Sequence, residues 1–284
     1  NPAHAHPRHM SRYSIFPRGF FTVKGQKSRK IIVVDPRPTD TASLADMHVQ
    51  VEQGRDYELL DALRVAFKGE ELPDMIAGVP KEKVYELAEL LKEGRFVTIF
   101  FGMGVTHSLG KNHNIDIAIA VTADLNKYTK ASIIPMRGHY NVTGSGQVLG
   151  WQFGFPFCVD LSRGFARYSP GETSSNDLLQ RGEVDASFVI GSDPGSHFPF
   201  KSVKKIYDLP SVCIDPHMTP TAAVSKCHVP VALVGIEVAG SCYRMDNVPI
   251  ESRKVVDAPE GMLTDAEFLE LVLEEVNKIK GAAA

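Results

Sequence analysis

The chain has 284 residues, 43% of them hydrophobic and 23% charged, and a formal net charge of −3 at pH 7. This is the composition of an ordinary globular protein with room for one large or two ordinary domains. The global charge points to neither nucleic acid nor a membrane surface, and the longest apolar runs are far too short to span a bilayer.

Asn1 to Val34 carries Arg8, Arg12, Arg18, Lys24, Lys27, Arg29 and Lys30 and no acidic residue. Nucleic-acid binding is one reading of this basic segment, and a phosphate-bearing cofactor explains it equally well. Phe16, Phe20 and Phe21, beside Pro17 and Gly19, read as packing anchors. The spacing of His4, His6 and His9 fits no single helix face, which favours a structural or phosphate-contacting role over metal ligation. The chain starts at Asn1 without Met and shows no signal peptide, as expected of a chain that begins at an internal position.

The β-branched run Ile31 to Val34 reads as a buried parallel strand that ends in Asp35-Pro36-Arg37. In open α/β sheets ligands bind beyond the carboxyl ends of strands. A carboxylate there can accept two hydrogen bonds from the edge of a base such as guanine. The stretch recurs 180 residues later at Asp215, with eight identities in 17 aligned positions: Asp35, Pro36, Thr39, Thr41, Ala42, His48, Val49 and Val51. The Asn1-Pro2 pair, followed by His6 and Pro7, is echoed by Asp193-Pro194, followed by His197 and Pro199. Two equivalent sites suggest two equivalent ligands, or two halves of one. A duplicated fold whose turns merely need Pro and Thr would give the same identities.

Arg55 to Phe67 and Lys81 to Lys92 have amphipathic helical spacing, and Gly94 is expected to end the second. Phe96 to Phe101 reads as another buried strand. It is followed by Gly102-Met103-Gly104, Val105-Thr106-His107 and a helix starting near Asn114. Glycines between strand and helix let backbone amides approach a ligand, although this spacing is only half of a dinucleotide fingerprint. Ala131 to Met136 is a further strand. It delivers Arg137, Gly138, His139, Tyr140 and Asn141, which are the leading candidates for chemistry unless Arg137 merely caps the strand end.

Trp151 to Arg167 reads as an irregular loop, and a short helix runs through Leu179. Ala186 to Ile190 reads as a strand ending in Gly191-Ser192-Asp193-Pro194, and Pro230 to Val234 as another strand. Thr264-Asp265-Ala266-Glu267 is a capping box for a last helix toward Lys280, with an acidic solvated or subunit-facing side. The four cysteines, Cys158, Cys213, Cys227 and Cys242, include no CxxC pair. A zinc or iron–sulfur site made by this chain alone is therefore not expected, and free thiols in a reducing cytoplasm are the simplest reading.

The motifs NPAHAHPRHMSRY, IIVVDPRPTDTASLAD, FFGMGVTH, MRGHYNVTGSGQV, SPGET, GSDP, DPHMTPTA and YRMDNVPI, in this order along nearly the whole chain, resemble the molybdopterin oxidoreductase (dimethyl sulfoxide reductase) family. Within it they are most similar to the tungsten- or molybdenum-containing B-type subunits of formylmethanofuran dehydrogenases. The resemblance implies an α/β fold of two Rossmann-like parallel-sheet units related by an internal repeat. Residues 1–150 would form the first guanine-dinucleotide-binding domain, and 151–284 the second with the C-terminal helix. It also implies tungsten or molybdenum held by two molybdopterin guanine dinucleotides. Asp35, Arg37 and Thr39 would serve one nucleotide, and Asp215, Met218 and Thr219 the other. Asn1, Pro2 and His6, the loop Gly102, Met103, Gly104, Thr106 and His107, and Gly138 and Asn141 would line the cofactor, together with Gly191, Ser192 and Asp193.

Arg137 and, behind it, His139 would act in catalysis. No metal ligand is expected from this chain. A [4Fe–4S] cluster, a metal-ligating Cys or selenocysteine and its neighbouring His would come from a segment before Asn1. The resemblance also implies a C-terminal β-barrel domain, which is not expected within these residues. The implied partners are amidohydrolase-like, dinucleotide-binding barrel and ferredoxin-like subunits, with no nucleic acid and no membrane span. The implied activity is reduction of CO2 to formate for transfer to methanofuran, by a chain inactive alone. A formate dehydrogenase catalytic subunit, or a pterin-free scaffold of the same fold, are the alternatives.

Overall fold

Proline's fixed φ suits a first helical turn, where its missing N–H is no loss. Pro2 and Pro7 accordingly open two short helices, α1 (Pro2–Ala5) and α2 (Pro7–His9), and the second runs on into a wider π-helical turn, Met10–Ser14. The computed structural model describes residues 1–110 and 112–282, and these fall into two units, Asn1–Gly138 and His139–Ala284.

In the first unit β1 (Ile32–Val34) leads through α3 (Asp40–Ser43) to β2 (Met47–Val49), and the two strands pair in parallel with Ile32 opposite Met47. The core covers Met47 and Val49 but leaves Val34 at the end of β1 exposed, so the expected burial of β1 is only partial. Helix α4 (Asp56–Lys68) buries Leu59, Ala62, Leu63, Ala66 and Phe67, a single stripe at helical spacing. A hairpin, β3 (Met75–Ile76) and β4 (Val79–Pro80), leads into α5 (Lys81–Glu93), which buries Val84, Leu87 and Ala88. Gly94 does stand at its C-cap, but in an extended conformation rather than a left-handed one. Glycine is needed there for space, since a Cβ would sit 2.8 Å from Val97 Cγ2.

β5 (Phe96–Phe101) is followed by the helical turn α6 (Met103–Thr106), then α7 (Asn112–Leu125) and β6 (Lys130–Pro135), which pairs in parallel with β5 from Phe96–Lys130 to Phe101–Pro135. The apolar run of β5 was expected to be buried, yet five of its residues are half-buried and Phe96 is exposed. The core of the unit lies among α4, α5, α7 and β2, centred on Leu59, Leu63, Leu87, Val121 and Leu125. Each such side chain contributes roughly 1.5–3 kcal/mol by leaving water. Arg64 on α4 pairs with Asp124 on α7 at 2.7 Å, and Tyr128 donates to the Phe67 carbonyl at 2.6 Å.

The second unit opens with α8 (Val142–Phe153), so position 150, the domain boundary read from the sequence, falls inside a helix. The loop expected from Trp151 to Arg167 is also more regular. Trp151 lies in the last turn of α8, and β7 (Val159–Asp160) pairs antiparallel with β8 (Arg167–Tyr168). The ion pair of Asp160 with Arg167 and the stacking of Phe155 on Tyr168 (5.0 Å between centroids) order a stretch whose Gly and Pro content suggested none. After α9 (Ser175–Arg181) come β9 (Ser187–Ile190), α10 (Pro194–His197), α11 (Phe200–Asp208), β10 (Ser211–Ile214), α12 (Pro220–Val224) and β11 (Cys227–Val229). The three strands form a parallel sheet in the order β11-β10-β9.

The strand expected at Pro230–Val234 is the three residues before it, because Pro230 has no N–H for the ladder. Beyond it Ala232 donates to the Leu263 carbonyl at 2.9 Å. β12 (Gly240–Tyr243) and β13 (Pro249–Ser252) form an antiparallel hairpin. The capping box of α13 (Asp265–Ala282) is closed in both directions, Thr264 N–H to Glu267 Oε2 at 2.8 Å and Glu267 N–H to Thr264 Oγ1 at 3.2 Å. Among the described residues no helix is long and apolar enough to cross a membrane.

Candidate functional site

Each unit places one Asp-Pro turn at the carboxyl end of a parallel strand, and the two turns are built by the same hydrogen bonds. In the first unit the Asp35 N–H donates to the Val49 carbonyl (3.2 Å), its carbonyl accepts from His48 Nε2 (3.0 Å), and its Oδ1 accepts the Arg37 N–H (2.9 Å). In the second the Asp215 N–H donates to the Val229 carbonyl (3.3 Å), its carbonyl accepts from His228 Nε2 (2.9 Å), and its Oδ1 accepts the His217 N–H (2.8 Å). Thr39 and Thr219 cap the helices that follow, through the N–H groups of Ala42 and Ala222. The remaining oxygen, Oδ2, of Asp35 and of Asp215 accepts nothing among the described residues. That oxygen is the acceptor a base edge would need.

A second loop is hooked to each turn. Asn1 Oδ1 accepts from Thr41 Oγ1 (2.8 Å) and Thr41 N–H (3.2 Å), and Thr41 Oγ1 accepts the Ala3 N–H (3.0 Å). Asp193 Oδ1 accepts from Thr221 Oγ1 (2.6 Å) and Thr221 N–H (3.0 Å), and Thr221 Oγ1 accepts the Gly195 N–H (2.7 Å). Burial opposes ionisation of Asp193, but hydrogen bonds from Ser196 and Thr221 win and hold its carboxyl below the usual range. His197 Nδ1 donates to the Asp193 carbonyl at 2.8 Å. Thr41, Thr221, His48 and His228 were visible in the sequence as identities without a role. The partners of the two threonines, Asn1 and Asp193, lie 40 and 28 positions away, so no local spacing could have shown the hooks.

Asn1, Arg37 and Thr39, with Pro38 and Asp40, line one cavity of about 240 Å3. Arg37 also borders a second, of about 410 Å3, with Gln50, Glu52 and Gly78. In the second unit Met218 is exposed at the equivalent turn. Burial, and then the charge of Asp215, push the carboxyl of Asp265 up, which places the start of α13 close to that turn.

Gly102 leads from β5 into α6, and Asn114 holds the loop from behind: its Nδ2 donates to the Val105 carbonyl (2.9 Å) and to Ser108 Oγ (2.6 Å). Met103, Gly104 and His107 are exposed, and Thr106 is half-buried. Among the described residues, nothing beyond the adjoining backbone lies within 4 Å of where a Cβ of Gly104 or Gly191 would stand. Gly191 has a φ of +53°, and Ser192 beside it is exposed. Open glycine backbone of this kind fits the close approach of a flat ring or a phosphate.

Arg137 and Gly138 follow β6 and are exposed, and beyond its chain neighbours a Cβ on Gly138 would meet, among the described residues, His6 Nε2 at 3.8 Å. Pro2 is half-buried at the start of α1. Nearby His9 packs edge-on against Phe100 (4.9 Å between centroids), and burial, then the charge of His6, push its imidazole below the usual range. His139 lies edge-on to His197, 6.4 Å between centroids, and so borders the Asp193 loop. Asn141, expected to line the cofactor, braces the loop against β12. Its φ is +53°, its Oδ1 accepts the Tyr243 N–H (2.9 Å), and its Nδ2 donates to the Ser241 carbonyl (3.5 Å). Among the described residues no three His, Cys, Asp or Glu side chains form a metal site.

These features define an α/β chain whose parallel strands end in open loops. The same fold occurs in a chain of the formyltransferase/hydrolase complex of Methylorubrum extorquens, solved with methylofuran (TM-score 0.70, 15% identity, 90% of this chain and 67% of that one). No family model matches the chain. Formate dehydrogenase H of Escherichia coli is 27% identical over 81% of this chain and 38% of its own. The B-type subunit of the tungsten-containing formylmethanofuran dehydrogenase 2 of Methanocaldococcus jannaschii is 56% identical over 98% of this chain. Over this span the chain is similar to formylmethanofuran dehydrogenase B-type subunits. It covers 64% of the length of that relative.

Proposed function

We propose that this chain is the α/β part of the catalytic subunit of a formylmethanofuran dehydrogenase, in which each unit seats the guanine nucleotide of one pterin cofactor carrying tungsten or molybdenum. The observation that carries the reading is the pair of Asp-Pro turns, built alike in both units, each leaving one carboxylate oxygen without a partner among the described residues. The same pairing favours an internal duplication of a Rossmann-like unit. Asp35, Arg37, Thr39 and Asn1 would hold one nucleotide, and Asp215, Met218, Thr219 and Asp193 the other. The open backbone at Gly104 and Gly191 would admit phosphates and ring systems. When bound, the group supplies the metal centre and the two-electron redox chemistry that relates CO2 to formate. Electrons would reach it through a [4Fe–4S] cluster held outside these residues, and formate would pass to another subunit for transfer to methanofuran.

Arg137 is the residue proposed to hold the carbon substrate. CO2 is linear and neutral, and negative charge develops on both oxygens as the carbon bends toward formate. A guanidinium offers paired donors in a fixed fork that matches two carboxylate oxygens. Its attraction is greatest where the charge is greatest, so it favours the transition state over bound CO2. His139 would orient Arg137 or relay a proton.

The test is formate oxidation with an artificial electron acceptor by the full-length enzyme. Arg137→Lys keeps the charge and removes the fork. It should keep its metal and pterin and lose about 10²–10³-fold in turnover, the scale of losing one oxyanion donor. Parent-like turnover at full metal occupancy would reduce Arg137 to a strand-end residue.

A further inference from the structure

We propose that the tip formed by Phe20 and Phe21 is a docking knob for another polypeptide of the assembly, one that presents an apolar pocket rimmed by carboxylates. This rests on the reading above that the chain works within a multisubunit enzyme. The sequence suggested that these phenylalanines anchor the chain internally. Instead Phe20 is 89% and Phe21 92% exposed, with the rings edge to face at 5.0 Å between centroids. The loop beneath them is fixed. Arg29 Nη1 donates to the carbonyls of Ile15 (3.1 Å) and Pro17 (2.7 Å), and its Nη2 to Thr22 Oγ1 (3.0 Å). Gly19 and Thr22 exchange backbone hydrogen bonds of 3.4 and 3.0 Å, closing the turn that carries both rings.

An ordered loop that holds two bare aromatic rings in water is what a recognition surface requires. Aromatic side chains have few rotamers to lose, and a pre-formed loop lowers the entropy cost of association. The flanking charge identifies the partner. Arg18, Lys24 and Lys27 make no ion pair among the described residues, and no acidic residue occurs between Asn1 and Val34. A facing surface that carries carboxylates is attracted, and one that carries cations is rejected. The cationic patch is small and the chain as a whole is at −3, which favours a protein pocket over an extended anionic surface of lipid or RNA.

The experiment uses the natively purified assembly of the full-length protein. The double variant Phe20→Glu, Phe21→Glu places like charges against the acidic rim, and Phe20→Leu, Phe21→Leu keeps apolar bulk. In native mass spectrometry the Glu variant should lose one partner polypeptide at least tenfold faster than the parent, and the Leu variant far less so. Lys24→Glu with Lys27→Glu should release the same polypeptide at lower salt than the parent, while metal and guanine content stay at parent levels. Unchanged subunit composition and dissociation rate in the folded Glu variant would overturn the proposal. Loss of metal and guanine with every subunit retained would also overturn it, because the rings would then pack within the catalytic subunit. A third overturning result is an intact assembly in which only binding to anionic phosphatidylglycerol vesicles, or to a fluorescent RNA, is abolished. If the partner is lost as expected but the parent holds neither metal nor guanine, the knob stands and the cofactor reading falls.

Discussion

Asp35 and Asp215 use one carboxylate for two purposes. Oδ1 shapes the turn by accepting the N–H two residues on, and Oδ2 is left for a ligand. Replacing either with Ala removes a charge-assisted acceptor, at a cost of about 1.5–3 kcal/mol per hydrogen bond. Guanine released from the purified full-length protein should fall in Asp35→Ala and in Asp215→Ala, by up to half if each turn seats one nucleotide. Guanine content at the parent level in both variants would remove the nucleotide from these turns. The two sites differ in solvation, for Asp215 is buried and Asp35 half-buried, and the sequence identities gave no sign of this.

At the scale of the element, the loop from Gly102 to Ser108 is held by a helix that follows it. Asn114 on α7 is fully buried, and its Nδ2 supports the loop at Val105 and Ser108 while its Oδ1 has no partner among the described residues. Asn114→Ala should weaken the loop by about 1–3 kcal/mol, a buried carbonyl being left without its donor. Hydrogen exchange of the amides from Val105 to Ser108 should then quicken by about tenfold or more, with little change in the core amides of α4 and α5. If exchange in the loop matches the parent, Asn114 is a packing residue only. The sequence marked the glycines of this loop but not the support from Asn114, since an asparagine in an apolar helix has no distinctive spacing.

At the scale of the whole molecule, all four cysteines lie in the second unit as free thiols. Cys213 and Cys242 are buried, Cys158 is half-buried and Cys227 exposed, and no three His, Cys, Asp or Glu groups converge among the described residues. Burial, aided by Asp177 at Cys158 and by Asp215 at Cys213, pushes both thiols up, away from the thiolate that ligation needs. Replacing all four with Ser or Ala should therefore leave the iron content per folded assembly unchanged. A specific loss of one cluster would show that this chain contributes ligands.

Elements whose signal is local could be read from the chain alone. The apolar stripes of α4 and α5, the reciprocal cap of α13, and the strands leading to Asp35, Phe101, Ile190 and Asp215 were all legible, because hydrophobic period and capping chemistry act between near neighbours. The 180-residue repeat also marks both Asp-Pro turns in the sequence itself. The hairpin after Phe157, the shift of the last parallel strand to Cys227–Val229, and the shallow burial of β5 emerged only from the folded chain. So did the hooks from Thr41 to Asn1 and from Thr221 to Asp193, and the outward presentation of Phe20 and Phe21. The physical reason is common to all of these. Each depends on which residues distant in the chain come within hydrogen-bonding or van der Waals reach, and a residue's own type and spacing do not carry that information.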